Sequence, residues 1–184
     1  MSREFQTALA FDRYVATGKP EQQAAWQKIY EQARLSDAQR SLLRGFVREM
    51  NVLVVSGIWC GDCVQQCPLL ARIAEAAPER VHLRFVDRDA HPDLSARLTI
   101  NAGHRVPVAL FLAEDCELVA VFGDRTLARY RALAARQLGP TCPLPGAPVS
   151  DDELAATLQD WLNEFERVQL LLRLSGRLRQ KHDD

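Results

Sequence analysis

Long apolar runs are missing from this 184-residue chain: no segment approaches the roughly 18 apolar residues that a membrane span requires. The opening "MSREFQTALAFDRYVATGKP" also lacks the basic start and continuous apolar stretch of a secretory signal. Charge of one sign is absent too. The formal net charge is −1, so nothing draws the chain as a whole toward nucleic acid or an anionic membrane, although the C-terminal "RLRQKH" is locally basic. Internal repeats and low-complexity tracts are absent as well. We therefore expect a soluble cytoplasmic protein with no nucleic-acid and no membrane partner. Cysteine is sparse, five in all, and the odd number leaves at least one thiol without an intramolecular partner. A chain of this length buries a sufficient core without disulfides or metals. Cytosolic thiols stay largely reduced, so clustered cysteines there point to catalysis or metal binding rather than to staples.

What is present begins with helices. After the "TGKP" break, Trp26, Ile29, Tyr30 and Ala33 recur at three-and-four spacing and form one apolar helical face. A second helix start follows at Ser36, where "SDAQ" has the capping-box form ahead of Leu42, Leu43, Phe46 and Val47. The run "NVLVVSGIW" then reads as a buried strand, and "VQQCPLLARIAEAA" returns to a helical period. Further strands are expected at "VHLRFVDRD", "RVPVALFL" and "ELVAVFG", with a short helix around "LSARLTI". The last part is helical again: "RTLARYRALAARQLG", a proline-rich linker "PTCPLPGAP", and a capping box "SDDE" from Ser150 to Glu153. The stripe Leu154, Leu158, Trp161, Leu162, Phe165 and Val168 follows it.

The chemistry gathers in "IWCGDCVQQC", residues 58–67, which holds three of the cysteines. Residues three apart in a helical first turn lie near the Cα separation a disulfide needs, about 4.4 to 6.8 Å, so Cys60 and Cys63 can open and close a bond with little backbone movement. Cys67, a further four residues along the helix, would pair with Cys63 only if the helix unwound. It reads as a buried structural thiol, with a third redox partner or a ligand as its alternatives. At the helix N-terminus, Cys60 meets unpaired N–H groups and the positive end of the dipole, which favour the thiolate that attacks sulfur. The expected cycle has Cys60 attack a substrate disulfide and Cys63 resolve the mixed disulfide.

Pro107 raises a separate question, because a proline should be excluded from a central strand except at its start or at a bulge. A cis Val106–Pro107 bond at the beginning of the strand would resolve the conflict.

Together these residues resemble the thioredoxin superfamily. Trp59-Cys60-Gly61-Asp62-Cys63 is similar to its Trp-Cys-Gly-Pro-Cys signature, and Pro68 falls where that family kinks its active-site helix. Val106-Pro107 resembles its cis-proline loop, and Phe122-Gly123 the glycine after its last hairpin. The resemblance spans about residues 50–125 and implies an α/β thioredoxin-like fold with a mixed central sheet of about four strands flanked by helices. A helical N-terminal extension, 1–49, and a helical C-terminal extension, 126–184, would complete a single domain. The resemblance implies Cys60 as nucleophile and Cys63 as resolving thiol. It also implies backbone hydrogen bonds from Val106, beside Pro107, to an extended substrate, with Trp59 as a flat contact surface.

Two departures stand out. The family's buried acid, six residues before the first cysteine, is Val54 here, so another group or water must manage the second thiol's proton. Its proline between the cysteines is Asp62, which with Gly61 sits where redox poise is set. An acid there gains about 0.3 to 1 kcal/mol from the helix dipole. It also opposes a Cys60 thiolate. A reducing protein is expected, toward about −270 mV and away from strong oxidants near about −120 mV. His104 and Arg105 could bring positive charge toward the site, or serve as exposed loop residues with no role.

The function expected is thus a thiol-disulfide oxidoreductase, with protein or small-molecule disulfides as substrates and an unidentified reductase or thiol donor as recycling partner. A redox-linked interaction module and a metal or iron–sulfur protein are the alternatives. Cys60, Cys63 and Cys67 fall one short of the four ligands of a structural zinc site, while His82, His91 and His104 stand isolated. A cluster completed by distant Cys142 has no supporting spacing. No metal and no cofactor are expected, and Cys116 and Cys142 read as incidental thiols or, alternatively, as a bonded pair.

Overall fold

Four helices precede the first strand in the computed structural model, which describes residues 1–138 and 152–184. They are α1 (Ser2–Thr7), α2 (Phe11–Val15), α3 (Pro20–Gln32) and α4 (Asp37–Arg44). Pro20 opens α3 at a position where its missing N–H costs nothing. The capping box of α4 forms as its sequence predicts: Gln39 N–H donates to Ser36 Oγ at 3.2 Å, and Ser36 N–H to Gln39 Oε1 at 2.8 Å. Trp26, Ile29 and Ala33 are buried along one face of α3. In the α4 stretch only Leu43 and Phe46 are buried, whereas Val47 is 49% exposed because the chain leaves the helix at Gly45 and turns toward the first strand.

That strand is β1 (Met50–Ser56), followed by α5 (Gly61–Ala76), β2 (Val81–Asp87), α6 (Pro92–Ala96), β3 (Val108–Ala113), β4 (Leu118–Gly123), α7 (Leu127–Leu138), α8 (Glu153–Leu174) and α9 (Gly176–His182). The sheet runs β2-β1-β3-β4. β1 and β2 are parallel, and the other neighbours are antiparallel. β1 and β3 are buried along their whole length, which is why both read as continuous apolar runs rather than as alternating ones. β4 is the half-exposed edge. At the opposite edge, Leu9 exchanges two backbone hydrogen bonds with Phe85 at 2.9 and 2.8 Å, so the N-terminal segment covers β2.

Aromatic side chains join the terminal helices to this sheet. Phe85 of β2 stacks on Tyr14 with ring centroids 5.3 Å apart and meets Trp26 edge-on. Phe111 of β3 meets Phe165 of α8 edge-on at 5.1 Å, and Phe122 of β4 meets Trp161 at 4.9 Å. The α8 stripe is therefore core, with Leu158, Trp161, Leu162, Phe165 and Val168 all buried. Buried Gln169 fastens α8 to the segment before β1: its Oε1 accepts from Arg48 N–H at 2.7 Å, and its Nε2 donates to Arg48 O at 2.9 Å. The N-cap of α8 is Asp152, whose carboxylate accepts from Ala155 N–H, two residues past the Ser150 expected to cap it. The proline-rich linker, with Gly139, Cys142 and Ser150, lies outside the described residues.

Candidate functional site

β1 ends at Ser56, and the chain turns through Gly57 to deliver Cys60 as the N-cap of α5. Cys60 keeps extended backbone angles while its carbonyl accepts the first helical bond from Val64 N–H at 3.0 Å. Gly57 leaves room for the Trp59 ring to fold over the turn, since a Cβ there would lie 2.9 Å from that ring. Trp59 is 49% exposed beside Cys60, and the Arg88 guanidinium sits 4.6 Å above its ring. Arg88 is itself held by His104 O, to which its Nη1 donates at 3.0 Å.

Cys60 faces the far loop. The Val106–Pro107 bond is cis, Pro107 directly precedes β3, and the Cys60 thiol lies 3.6 Å from Val106 O. Gly123 permits this approach, because a Cβ at that position would stand 2.7 Å from Pro107 O. Cys63, one turn into α5, is fully buried and close to Cys60, and it accepts the Gly57 N–H at 3.4 Å. Cys67 is also fully buried, 3.6 Å from Ser56 Oγ. Cys60, Cys63, Cys67 and Cys116 are free thiols, and Cys142 lies outside the described residues.

Burial pushes the Cys63 thiol well up. Cys60 is also pushed up, by its contact with Cys63 and then by partial burial, against the backbone N–H groups of Cys63 and Asp62 that pull it down. The helix terminus alone predicts a lowered Cys60; the neighbouring sulfur reverses that outcome.

Asp62 faces two arginines. Arg125 donates to Asp62 Oδ2 through Nη2 at 2.6 Å and Nε at 2.9 Å, and Arg129 donates to Oδ1 at 2.9 Å. Burial raises the Asp62 carboxyl, but the two guanidinium groups outweigh it and hold it below its usual range. The expected opposition of Asp62 to a Cys60 thiolate is thus compensated by Arg125 and Arg129. Arg129 continues the network to Glu153, which also takes Arg136 at 2.7 Å. Arg105, open in the sequence to a charge-bringing role or to none, is matched by buried Asp124 at 3.3 Å, and His104 Nδ1 lies 3.3 Å from Ser95 Oγ. Buried Gln66 ties α5 to the same loop, donating to Asp124 O at 3.0 Å and accepting Thr126 N–H at 3.2 Å.

Sequence reasoning missed Arg125, Arg129, Gln66, Asp124 and Arg88. The only signal was spacing: Asp62 and Gln66 are four apart in α5 and so share a helical face. Among the described residues, no group of three or more His, Cys, Asp or Glu side chains could hold a metal ion.

A four-stranded mixed sheet whose first strand leads into a dithiol helix, opposite a cis-proline loop, defines the thioredoxin-like class. A thioredoxin family model matches residues 8–135, more than half of the chain, and the protein belongs to that family. Among solved structures, a Pseudomonas aeruginosa protein of unknown function superposes with a TM-score of 0.70 at 20% identity, covering 94% of this chain and 96% of that one. An HIV epitope-scaffold superposes with a TM-score of 0.65 at 21% identity, covering 95% and 98% respectively. Both show a common fold that takes in the terminal helices as well as the sheet. No curated protein matches the sequence.

Proposed function

We propose that this protein is a thiol-disulfide oxidoreductase that reduces disulfides through Cys60 and Cys63. The observation that carries the reading is the asymmetry of the pair. Cys60 is partly exposed at the N-cap of α5 and faces Val106 O across 3.6 Å, while Cys63 is sealed behind it. An incoming disulfide can reach only the first sulfur, and the second is poised to attack what the first has captured.

In the cycle, the Cys60 thiolate attacks one sulfur of the substrate disulfide, and the other sulfur leaves with the bonding electron pair and takes up a proton. Cys63 then attacks Cys60 Sγ, closes the intramolecular disulfide and expels the remaining substrate sulfur as a thiol. A reductase or thiol donor returns two electrons and two protons to regenerate the dithiol. Val106 supplies backbone hydrogen bonds to an extended segment, and Trp59, steadied by Arg88, supplies a flat contact beside the nucleophile. The raised thiols favour a reducing poise, because a thiolate that is poorly stabilised does little to stabilise the reduced form. Protein or small-molecule disulfides are the substrate class. A reducing, cytoplasmic-type compartment suits this direction.

Insulin reduction by wild type, Cys60→Ser and Cys63→Ser tests the reading. Turnover should be lost in both variants, and Cys63→Ser should accumulate substrate linked to Cys60. Capture of a partner by Cys60→Ser/Cys63→Ser as efficiently as by wild type, without turnover in any form, would instead favour an interaction module.

A further inference from the structure

One buried carboxylate holds both walls that enclose Cys60. Asp124 directly follows β4, and its side chain is only 3% exposed. Its Oδ2 accepts from Arg105 Nη1 and from Arg125 Nη1, each at 3.3 Å, and its Oδ1 accepts the Tyr130 hydroxyl of α7. Its backbone oxygen accepts from Gln66 Nε2 of α5 at 3.0 Å. A carboxylate offers about four lone-pair sites, so three side-chain donors share it without competing.

These contacts reach the two sides of the site by separate routes. Arg105 stands one residue before Val106, whose carbonyl Cys60 faces across 3.6 Å. The same loop is tied a second time at His104 O, which accepts from Arg88 at 3.0 Å. Gln66 lies on α5, the helix that Cys60 caps, and Arg125 leads to Asp62 in the first turn of that helix. The loop and the helix are thus both referred to Asp124, one through Arg105 and the other through Gln66 and Arg125. A carboxylate this deep is costly to bury unless it is paired and hydrogen-bonded. Here the groups that offset that cost come from the two walls of the site. We propose that Asp124 is a positioning residue for disulfide reduction: through Arg105 it fixes the Val106 backbone against Cys60, and so sets how firmly an extended substrate is held.

This assignment rests on the reading of Cys60 as the nucleophile and of Val106 as the substrate-binding backbone. Charge and position give different expectations when the Arg105–Asp124 pair is cut from its two ends. Asp124→Asn removes a negative charge and Arg105→Gln a positive one, so an effect carried by the field at Cys60 changes sign between them. An effect carried by the position of the loop has the same sign in both, because each variant breaks the same ion pair. Cutting at Arg105 is the milder change: its side chain is 37% exposed, and Asp124 keeps Arg125 and Tyr130. The choice of substrate separates the two walls as well. An extended peptide needs the Val106 backbone, whereas a small aromatic disulfide needs only Cys60.

The test compares two reactions in a Cys116→Ser/Cys142→Ser background. One is insulin reduction at varied insulin concentration with dithiothreitol as the thiol donor. The other is release of the first thionitrobenzoate from 5,5′-dithiobis(2-nitrobenzoate), followed by stopped flow. Asp124→Asn and Arg105→Gln should each lower kcat/KM for insulin by about tenfold, chiefly through KM, as expected for losing about one substrate hydrogen bond. The first thionitrobenzoate phase should change far less in either. Combining the two substitutions should slow insulin reduction no further than the slower single variant, since residues acting as one unit are not additive. Arg105→Lys, which keeps the ion pair, should recover most of the insulin rate. Insulin effects of opposite sign in the two variants, equal losses in both reactions, or an insulin rate unchanged in Arg105→Gln would each overturn the proposal. Should Asp124→Asn fail to fold, Arg105→Gln and Arg105→Lys carry the comparison of the two reactions. Absence of any Cys60-dependent thionitrobenzoate phase in the parent protein would instead overturn the oxidoreductase reading itself.

Discussion

Arg125 closes on Asp62 with two nitrogens: Nη2 at 2.6 Å and Nε at 2.9 Å both donate to the same carboxylate oxygen, between the two cysteines of the motif. Arg129 takes the other oxygen, so one acidic side chain in the first turn of α5 is held by the loop before α7 and by α7 itself. The charge that sequence spacing assigns to tuning Cys60 is also a structural clamp.

Asp62→Asn removes the carboxylate nearest Cys60 from that clamp, leaving Arg125 paired with Asp124 and Arg129 with Glu153. The net gain of positive charge beside the motif should favour the Cys60 thiolate and make the pair more oxidising by about 30 mV, equivalent to about 1.4 kcal/mol. Equilibration against glutathione measures this, and an unchanged or more negative potential would refute it.

Acid should loosen the same clamp. Asp62 sits below its usual value of 3.8 in the folded protein, so on acidification the unfolded chain takes up that proton first. The stability contributed is complete above the usual carboxylate range and is lost as pH falls through the folded value. Denaturant titrations at stepwise lower pH should show a steeper loss for wild type than for Asp62→Asn.

Cys60 carries its own pH signature. Because Cys60 is pushed above the ordinary thiol value of 9.0, its thiolate fraction should keep rising with pH throughout the neutral range. Iodoacetamide alkylation of Cys60 in the reduced protein should therefore gain rate up to about pH 9 without levelling off. A plateau near pH 7 would show that the helix terminus outweighs the neighbouring sulfur.

Gly123→Ala probes the meeting of β4 with the cis-proline loop. The added Cβ would stand 2.7 Å from Pro107 O, and a backbone oxygen cannot swing aside as a flexible side chain does. A stability loss of about 1 to 3 kcal/mol is expected from the forced shift, together with slower disulfide reduction as Val106 moves from Cys60. Urea unfolding and insulin turnover report the two effects separately.

Much of this architecture was legible in residue patterns. The strand leading into "WCGDC" is visible because β1 is buried on both faces and so must be continuously apolar. The conflict between Pro107 and a central strand was visible too, and the structure resolves it by placing Pro107 in a cis bond immediately before β3. The Ser36 cap and the α8 stripe are local patterns, each confined to a few turns of one helix.

Asp62 marks the limit of such reading. Sequence determined that an acid stands in the first turn of α5 between two cysteines three residues apart, since helix geometry needs only neighbours along the chain. The tertiary structure alone decided that this acid would meet Arg125 and Arg129, 63 and 67 residues away. Electrostatic partners and buried donors depend on which surfaces the fold presses together, and periodicity within one element carries no record of the element packed against it.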